Sequence, residues 1–399
     1  MFMITNRIDN LLYFICLPLY YFFQLVNQKR NTILIISTIL FLFTLTPFIF
    51  ADFVSSNFRT SVFFVSTFIL AISTKRFTTE HTILIGVVSI WVIVTLIWEE
   101  GDYFYEKLHQ TITVSSIYCW SIFLYRALEF SSSSRALLIR YYKFLTEGLA
   151  IFSLLSLAYY LLLGSYFFSL TIEGNYDYIL TPFGVMLTKN FFGMEVFRVF
   201  NYFSEPVYAS VLFVGSFFIV QEKKGKYNTY RIITLFAGIL LFSFAFYLLF
   251  FYFYFATRGK KNHIGISILV ISVIVILVQG TEFMNASSMS ERAMLLQTFL
   301  NEVTTWDGYQ WMFGTSNLAE QDIHFSAGIL QIIWDYGFIG LMLYSYIIYL
   351  ISFKNPLLIG AMFIASLIIN PYICPIYYFM IAIFGVILKS KKNGDLSII

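Results

Sequence analysis

The sequence predicts an all-α fold: a polytopic transmembrane helical bundle forming a single integral membrane domain over residues 1–399. Three observations predict it. Of the 399 residues, 59% are hydrophobic and only 12% are charged, about half the charged share of a soluble domain. The apolar residues recur in runs long enough to cross roughly 30 Å of hydrocarbon. Those runs lack the alternation of barrel strands, so helices remain as the structure that satisfies the backbone in lipid.

The predicted spans follow in order: 11–26, 32–51, 60–73, 82–98, 111–128, 144–164, 207–220, 231–255, 264–279, 327–351, 357–369 and 375–388. Segment 11–26 lacks a small-residue cleavage site after it and reads as a retained anchor. The run 231–255 is long, with Ser243 near its middle. It reads as one tilted span or as a hairpin of two short helices. The stretch FSSSSR at 130–135 reads as a solvated cytoplasmic linker on composition.

The basic residues orient the chain. Nineteen of the 25 Lys and Arg lie in loops around Lys29-Arg30, Lys75-Arg76, Arg126–Lys143, Lys223–Arg231, Arg258–Lys261 and Lys354, and in the tail Lys389–Lys392. By the positive-inside rule these loops are cytoplasmic. They alternate correctly only if 231–255 crosses twice, which favours the hairpin and a cytoplasmic C-terminus. About thirteen crossings result, or about twelve if segment 11–26 lies in the interface.

Two connections on the opposite face are long, 164–205 and 279–326. Connections of that length in a compact protein are functional or disordered. Tyr166, Phe167, Tyr176, Phe191, Trp306, Tyr309 and Trp311 make them aromatic, which argues for ordered lids. The external face carries fifteen Asp and Glu but only Arg59, Lys107, Lys189, Arg198 and Arg292 as basic residues. Orientation therefore does not explain a base on that side.

Arg198 and Arg292 lie in the two long loops. A guanidinium is a permanently charged planar fork suited to phosphate oxygens. The simpler alternative is pairing with a neighbouring acid, Glu195, Glu205 or Glu291. Arg198 belongs to RVFNYFSEPVYAS, where Ser204 is an N-cap candidate and Pro206 suits a first helical turn. If that stretch is helical, Arg198 and Glu205 stand about two turns apart. His324, beside Asp322, has the pKa range of a general base; an interfacial histidine without a role explains it equally. Asp335 falls inside the 327–351 span. About three turns separate it from His324, or roughly 16 Å at helical rise, so it reads as a buried polar organiser. Gly337 and Gly340 beside it permit close helix packing.

Several chemistries find no support. The chain has no Walker loop, no HExxH, no paired Cys/His and no GxSxG, so no metal and no cofactor are expected. The basic residues sit in short clusters between spans, which disfavours nucleic acid as a partner. An enzyme of this kind would take an already activated substrate from the membrane.

With these residues assembled, the chain resembles the Wzy-type O-antigen polymerases, within the wider O-antigen polymerase and ligase family. The resemblance rests on RVFNYFSEPVYAS, SERAMLLQTFL, WMFGTSN and IHFSAGILQIIWDYGFIG, from about Phe197 to Gly340; elsewhere it is a matter of layout. It implies a GT-C-like membrane fold and an inverting, metal-independent glycosyltransferase. The implied location is the bacterial inner membrane, with the active face periplasmic. Donor and acceptor would be undecaprenyl-diphosphate-linked glycans in membrane lipid, with a chain-length regulator as a further partner. The implied roles are diphosphate binding for Arg198 and Arg292, orientation of Arg198 for Glu205, and acceptor deprotonation for His324. At Phe313-Gly314-Thr315-Ser316 the chain departs from the Gly-x-Gly common in ligases, which leans toward a polymerase. Two alternatives stand: a ligase acting on lipid A–core, and a flippase of lipid-linked glycans. A flippase needs a charged central cavity, for which Asp335 is the only clear mid-span charge.

Overall fold

The computed structural model describes residues 30–45, 56–73, 79–97, 104–163, 170–172, 178–191, 194–201, 206–219, 229–241, 243–258, 287–315, 328–368, 370 and 374–392. The expected spans 11–26 and 264–279 lie outside them. Helices dominate: α1 (Arg30–Leu45), α2 (Ser56–Ser73), α3 (Thr79–Ile97), α4 (Phe104–Phe130), α5 (Ser132–Leu163), α6 (Pro206–Ile219), α7 (Thr229–Leu240), α8 (Phe244–Arg258), α9 (Ser287–Val303), α10 (Gly308–Phe313), α11 (Gly328–Ile351), α12 (Pro356–Ile368) and α13 (Pro375–Lys392). By length and composition α5 and α11 are able to cross a membrane, and several of the other helices are shorter and apolar.

The all-α expectation needs one correction. Part of the segment expected as a long loop forms a four-stranded antiparallel meander. Its strands are β1 (Leu170–Ile172), β2 (Tyr178–Thr181), β3 (Gly184–Phe191) and β4 (Met194–Asn201). The β2–β3 turn is closed by Thr181, whose Oγ1 donates to the Gly184 carbonyl at 2.8 Å. The same hydroxyl donates to Ser156 Oγ on α5 at 3.2 Å. Phe183 at the turn packs on Phe152 and Tyr159 of α5. The sheet thus leans on the C-terminal half of α5. Strand propensity was visible in Val185, Val196, Phe197 and Val199, but aromatic loop content overshadowed it.

The buried centre is α13, which has no exposed apolar side chain from Pro375 to Ile387, and α4 beside it. The outer helices carry the reverse of a soluble surface. Phe144 is 78% and Leu162 81% exposed, while Ser37, Ser66, Thr146 and Ser216 are buried. Those buried hydroxyls join helices to one another. Ser37 and Ser66 each donate to the other's backbone carbonyl at 2.8 Å, tying α1 to α2. Tyr142 on α5 bonds Ser216 of α6, Thr146 bonds Tyr230 of α7 at 2.6 Å, and Tyr252 donates to the Leu357 carbonyl at 2.9 Å. Such bonds are the expected adhesive where lipid removes the hydrophobic drive between helices.

Local chemistry explains the helix ends. FSSSSR is no solvated linker: Ser131 Oγ accepts from the Ser134 amide at 3.2 Å as an N-cap, and α5 runs from Ser132 with Ser134 buried. Hydroxyls that compete for backbone amides are favoured at that position. The run 231–255 is split into α7 and α8, with the turn at Leu241 and Ser243. Pro356 and Pro375 open their helices at the first position, where a missing amide costs nothing. At the cytoplasmically assigned end of α6, Arg231 Nε donates to the Phe217 carbonyl at 3.0 Å and Lys391 Nζ to that of Ile219. Cations there complement the negative end of the helix dipole. Burial, reinforced by the Arg231 and Lys143 charges, holds the Lys391 ammonium below its usual range.

Candidate functional site

Arg198 lies on β4, opposite Leu187 of β3. This corrects the helical spacing weighed for Arg198 and Glu205, because a strand separates residues by about 3.3 Å each and not by 1.5 Å. β4 packs against α5 and α6. Its neighbour Val199 is fully buried, as is the Met186 with which Val199 pairs. Pro206 opens α6, as the sequence implies. Glu205 and Ser204 lie outside the described residues.

Arg292 lies on α9, one turn into the helix. Farther along, α9 packs on the first half of α11 through Phe299 against Trp334, with Leu295, Val303, Trp306, Leu330 and Ile333 around them. The side chains of Arg198 and Arg292 are not among those described, and His324 is outside the described residues altogether. The two arginines therefore belong to two ordered units, the sheet on α5–α6 and the α9–α10 segment on α11.

The second unit has a defined attachment. Helix α10 begins with a capping box: Gln310 N donates to Asp307 Oδ1 at 2.8 Å, and Asp307 N to Gln310 Oε1 at 3.0 Å. It ends at Gly314, with φ 86° and ψ −174°. The next residue, Thr315, donates its amide to the Trp334 carbonyl at 2.9 Å and its hydroxyl to the same oxygen at 3.3 Å. Trp306 meets Trp311 and Trp334 at 5.4 and 5.5 Å between ring centroids. Trp311 stacks on Phe338 at 5.3 Å.

Helix α11 is broken at the docking point. Gly337 has φ 63° and ψ −165°, so the expected 327–351 span is two helical pieces. A Cβ on Gly314 would lie 2.5 Å from the Asp335 carbonyl carbon and oxygen. One on Gly337 would meet the Met312 carbonyl and lie 2.5 Å from Phe313 N. The two glycines therefore form a notch in which the backbone at the end of α10 touches the backbone of α11. Gly337 thus permits close helix packing, against the last turn of α10, whereas Gly340 is corrected: it makes room for Tyr336 of its own helix.

Asp335 stands at the base of this notch, 4% exposed, and accepts from Gln331 Nε2 at 2.9 Å. α11 begins at Gly328 among the described residues, so the helical spacing proposed from His324 to Asp335 falls partly outside them. Sequence reasoning found Asp335 but missed the Gly314–Gly337 contact. The signal was present: each glycine follows an aromatic residue, in Phe313-Gly314 and in Tyr336-Gly337. Their pairing across 23 positions was not readable from either one. Comparisons of the chain with protein-family models, with curated proteins and with solved structures found no match.

Proposed function

We propose that the chain is a multi-pass inner-membrane glycosyltransferase that polymerises undecaprenyl-diphosphate-linked repeat units on the periplasmic side. The observation that carries the proposal is the pair of arginines on a face otherwise acidic by the positive-inside assignment. Support for the membrane setting comes from α5 and α11 and from the apolar exterior over a hydroxyl-rich interior. Support for two working lids comes from the order in both segments: Arg198 on a sheet strand, Arg292 on a helix tied into an aromatic cluster.

In this reading the acceptor sugar hydroxyl attacks the anomeric carbon of the lipid-linked donor. His324 takes the hydroxyl proton. The bond from the anomeric carbon to the diphosphate oxygen breaks with inversion, and undecaprenyl diphosphate leaves carrying the electron pair. Its developing charge is the main demand on the site, since neutralising a leaving anion in a low-dielectric setting is worth several kcal/mol. Arg198 and Arg292 meet that demand, and Glu205 orients Arg198. No metal is required by this scheme.

The test is reconstitution of the full chain in liposomes with a synthetic undecaprenyl-diphosphate-linked repeat. A ladder of longer lipid-linked glycans supports polymerisation. Transfer only to added lipid A–core would make it a ligase. Movement of the donor across the bilayer without any new glycosidic bond would make it a flippase.

A further inference from the structure

Beneath the notch, a cluster of polar side chains from several helices lies buried. Trp91 of α3 is 2% exposed, Thr111 and Tyr118 of α4 are 0%, and Tyr336 of α11 is 1%. The Trp91 ring is 5.1 Å from that of Tyr336 and 6.1 Å from that of Tyr118, between centroids. The Tyr336 hydroxyl is within electrostatic reach of Asp335 and Tyr118 and shares a hydrogen bond with the Thr111 side chain. Tyr118 is likewise within reach of Tyr344, whose hydroxyl bonds Ser366 Oγ of α12 at 2.8 Å. Yet two polar atoms here, Trp91 Nε1 and Tyr118 OH, make no hydrogen bond among the described residues.

A buried donor without an acceptor bears the full cost of its lost hydration. One such group is tolerable. Two against a single tyrosine, next to a buried carboxyl, indicate a shared partner. That partner must accept from an indole N–H, which can only donate, and must also both accept from and donate to hydroxyls. A cation fails the first condition. A sugar or lipid headgroup is too large for a site whose four walls are 0–2% exposed. Water meets every condition, and buried water characteristically makes about three bonds to otherwise unsatisfied groups.

We propose that this cluster is a built site for ordered water, bridging Trp91 and Tyr118 to the Tyr336–Asp335 end of the α11 break. The water gives the Asp335 carboxyl a polar surrounding beyond Gln331. It thereby fixes the broken helix from below while Gly314 and Thr315 fix it from above. The proposal is independent of the glycosyl-transfer reading.

The test uses the full chain purified in detergent and in lipid nanodiscs. Tyr118→Phe removes one hydroxyl and keeps the shape. With water in place, the variant loses a bond and strands the water, so the melting temperature falls by several degrees. In a dry site, the substitution removes an unsatisfied group, so the melting temperature holds or rises; that result overturns the proposal. A density map of the unmodified chain is the second measurement and needs no variant. Peaks about 2.7–3.2 Å from Tyr118 OH and Trp91 Nε1 support the site, and a well-resolved cluster without such peaks overturns it.

Discussion

Replacing Gly337 by alanine tests the docking of the α9–α10 segment directly. Gly337 holds φ 63° and ψ −165°, a region open essentially to glycine, and a side chain there costs about 1–3 kcal/mol in backbone conformation alone. The added Cβ also meets the Met312 carbonyl and Phe313 N, which are backbone and cannot rotate aside. Overpacking of that kind adds about 1–3 kcal/mol, for a total of roughly 2–6 kcal/mol. Gly314→Ala acts on the other side of the same contact, with φ 86° and the Asp335 carbonyl 2.5 Å away. The double variant should therefore lose less than the sum, because the first substitution already parts the two backbones. Gly148→Ala is the control. Its Cβ meets nothing within 4 Å, inside α5, and it should gain about 0.5–1 kcal/mol from helix propensity. The assay is thermal unfolding of the purified chain followed by tryptophan emission, since Trp306, Trp311 and Trp334 surround the contact. A Gly337→Ala chain melting with the parent, or strict additivity of the pair, would refute the notch.

The remaining expected outcomes concern the proposed chemistry and the packing of α9 and α11. Arg198→Ala and Arg292→Ala should each abolish glycan polymer at normal protein level, read as a ladder on a gel; full ladders from both would remove the diphosphate assignment. His324→Ala should slow polymerisation strongly, and full activity would mean that another group, or none, activates the acceptor. Phe299→Ala should cost about 3 kcal/mol as a large-to-small change in a buried cluster and red-shift the emission of its neighbours Trp306 and Trp334; unchanged emission would contradict that packing. Asp335→Leu should destabilise by about 1–3 kcal/mol, because Gln331 Nε2 loses its acceptor, and Gln331→Leu in the same background should recover part of that loss in a melting experiment.

What the sequence settled was local and periodic. Length and uniform apolarity marked 60–73, 82–98, 111–128 and 375–388 as helices, and the structure has helices there. Pro206 marked the start of α6 for the same local reason. The charge pattern singled out Arg198 and Arg292 because it needs no coordinates. The misreadings share one cause: composition says what a segment prefers but not what it meets. FSSSSR looked soluble until Ser131 found the Ser134 amide. The sheet inside the expected long connection 164–205 is not legible in composition, because strand pairing is a relation between segments, such as Leu187 with Arg198.

The tertiary structure alone decided the break in α11. Read singly, Gly337 is a tolerated residue in an apolar helix, and Gly314 ends a short turn. Only when Met312–Thr315 is laid against Trp334–Gly337 does each explain the other, because two backbones can touch only where both side chains are missing. The sequence by itself thus determined a helical, apolar chain with two unexplained arginines on its acidic side. Contacts between distant segments decided how 170–201 and 287–315 fold and where they are held, since such contacts depend on the meeting of surfaces that no single stretch contains.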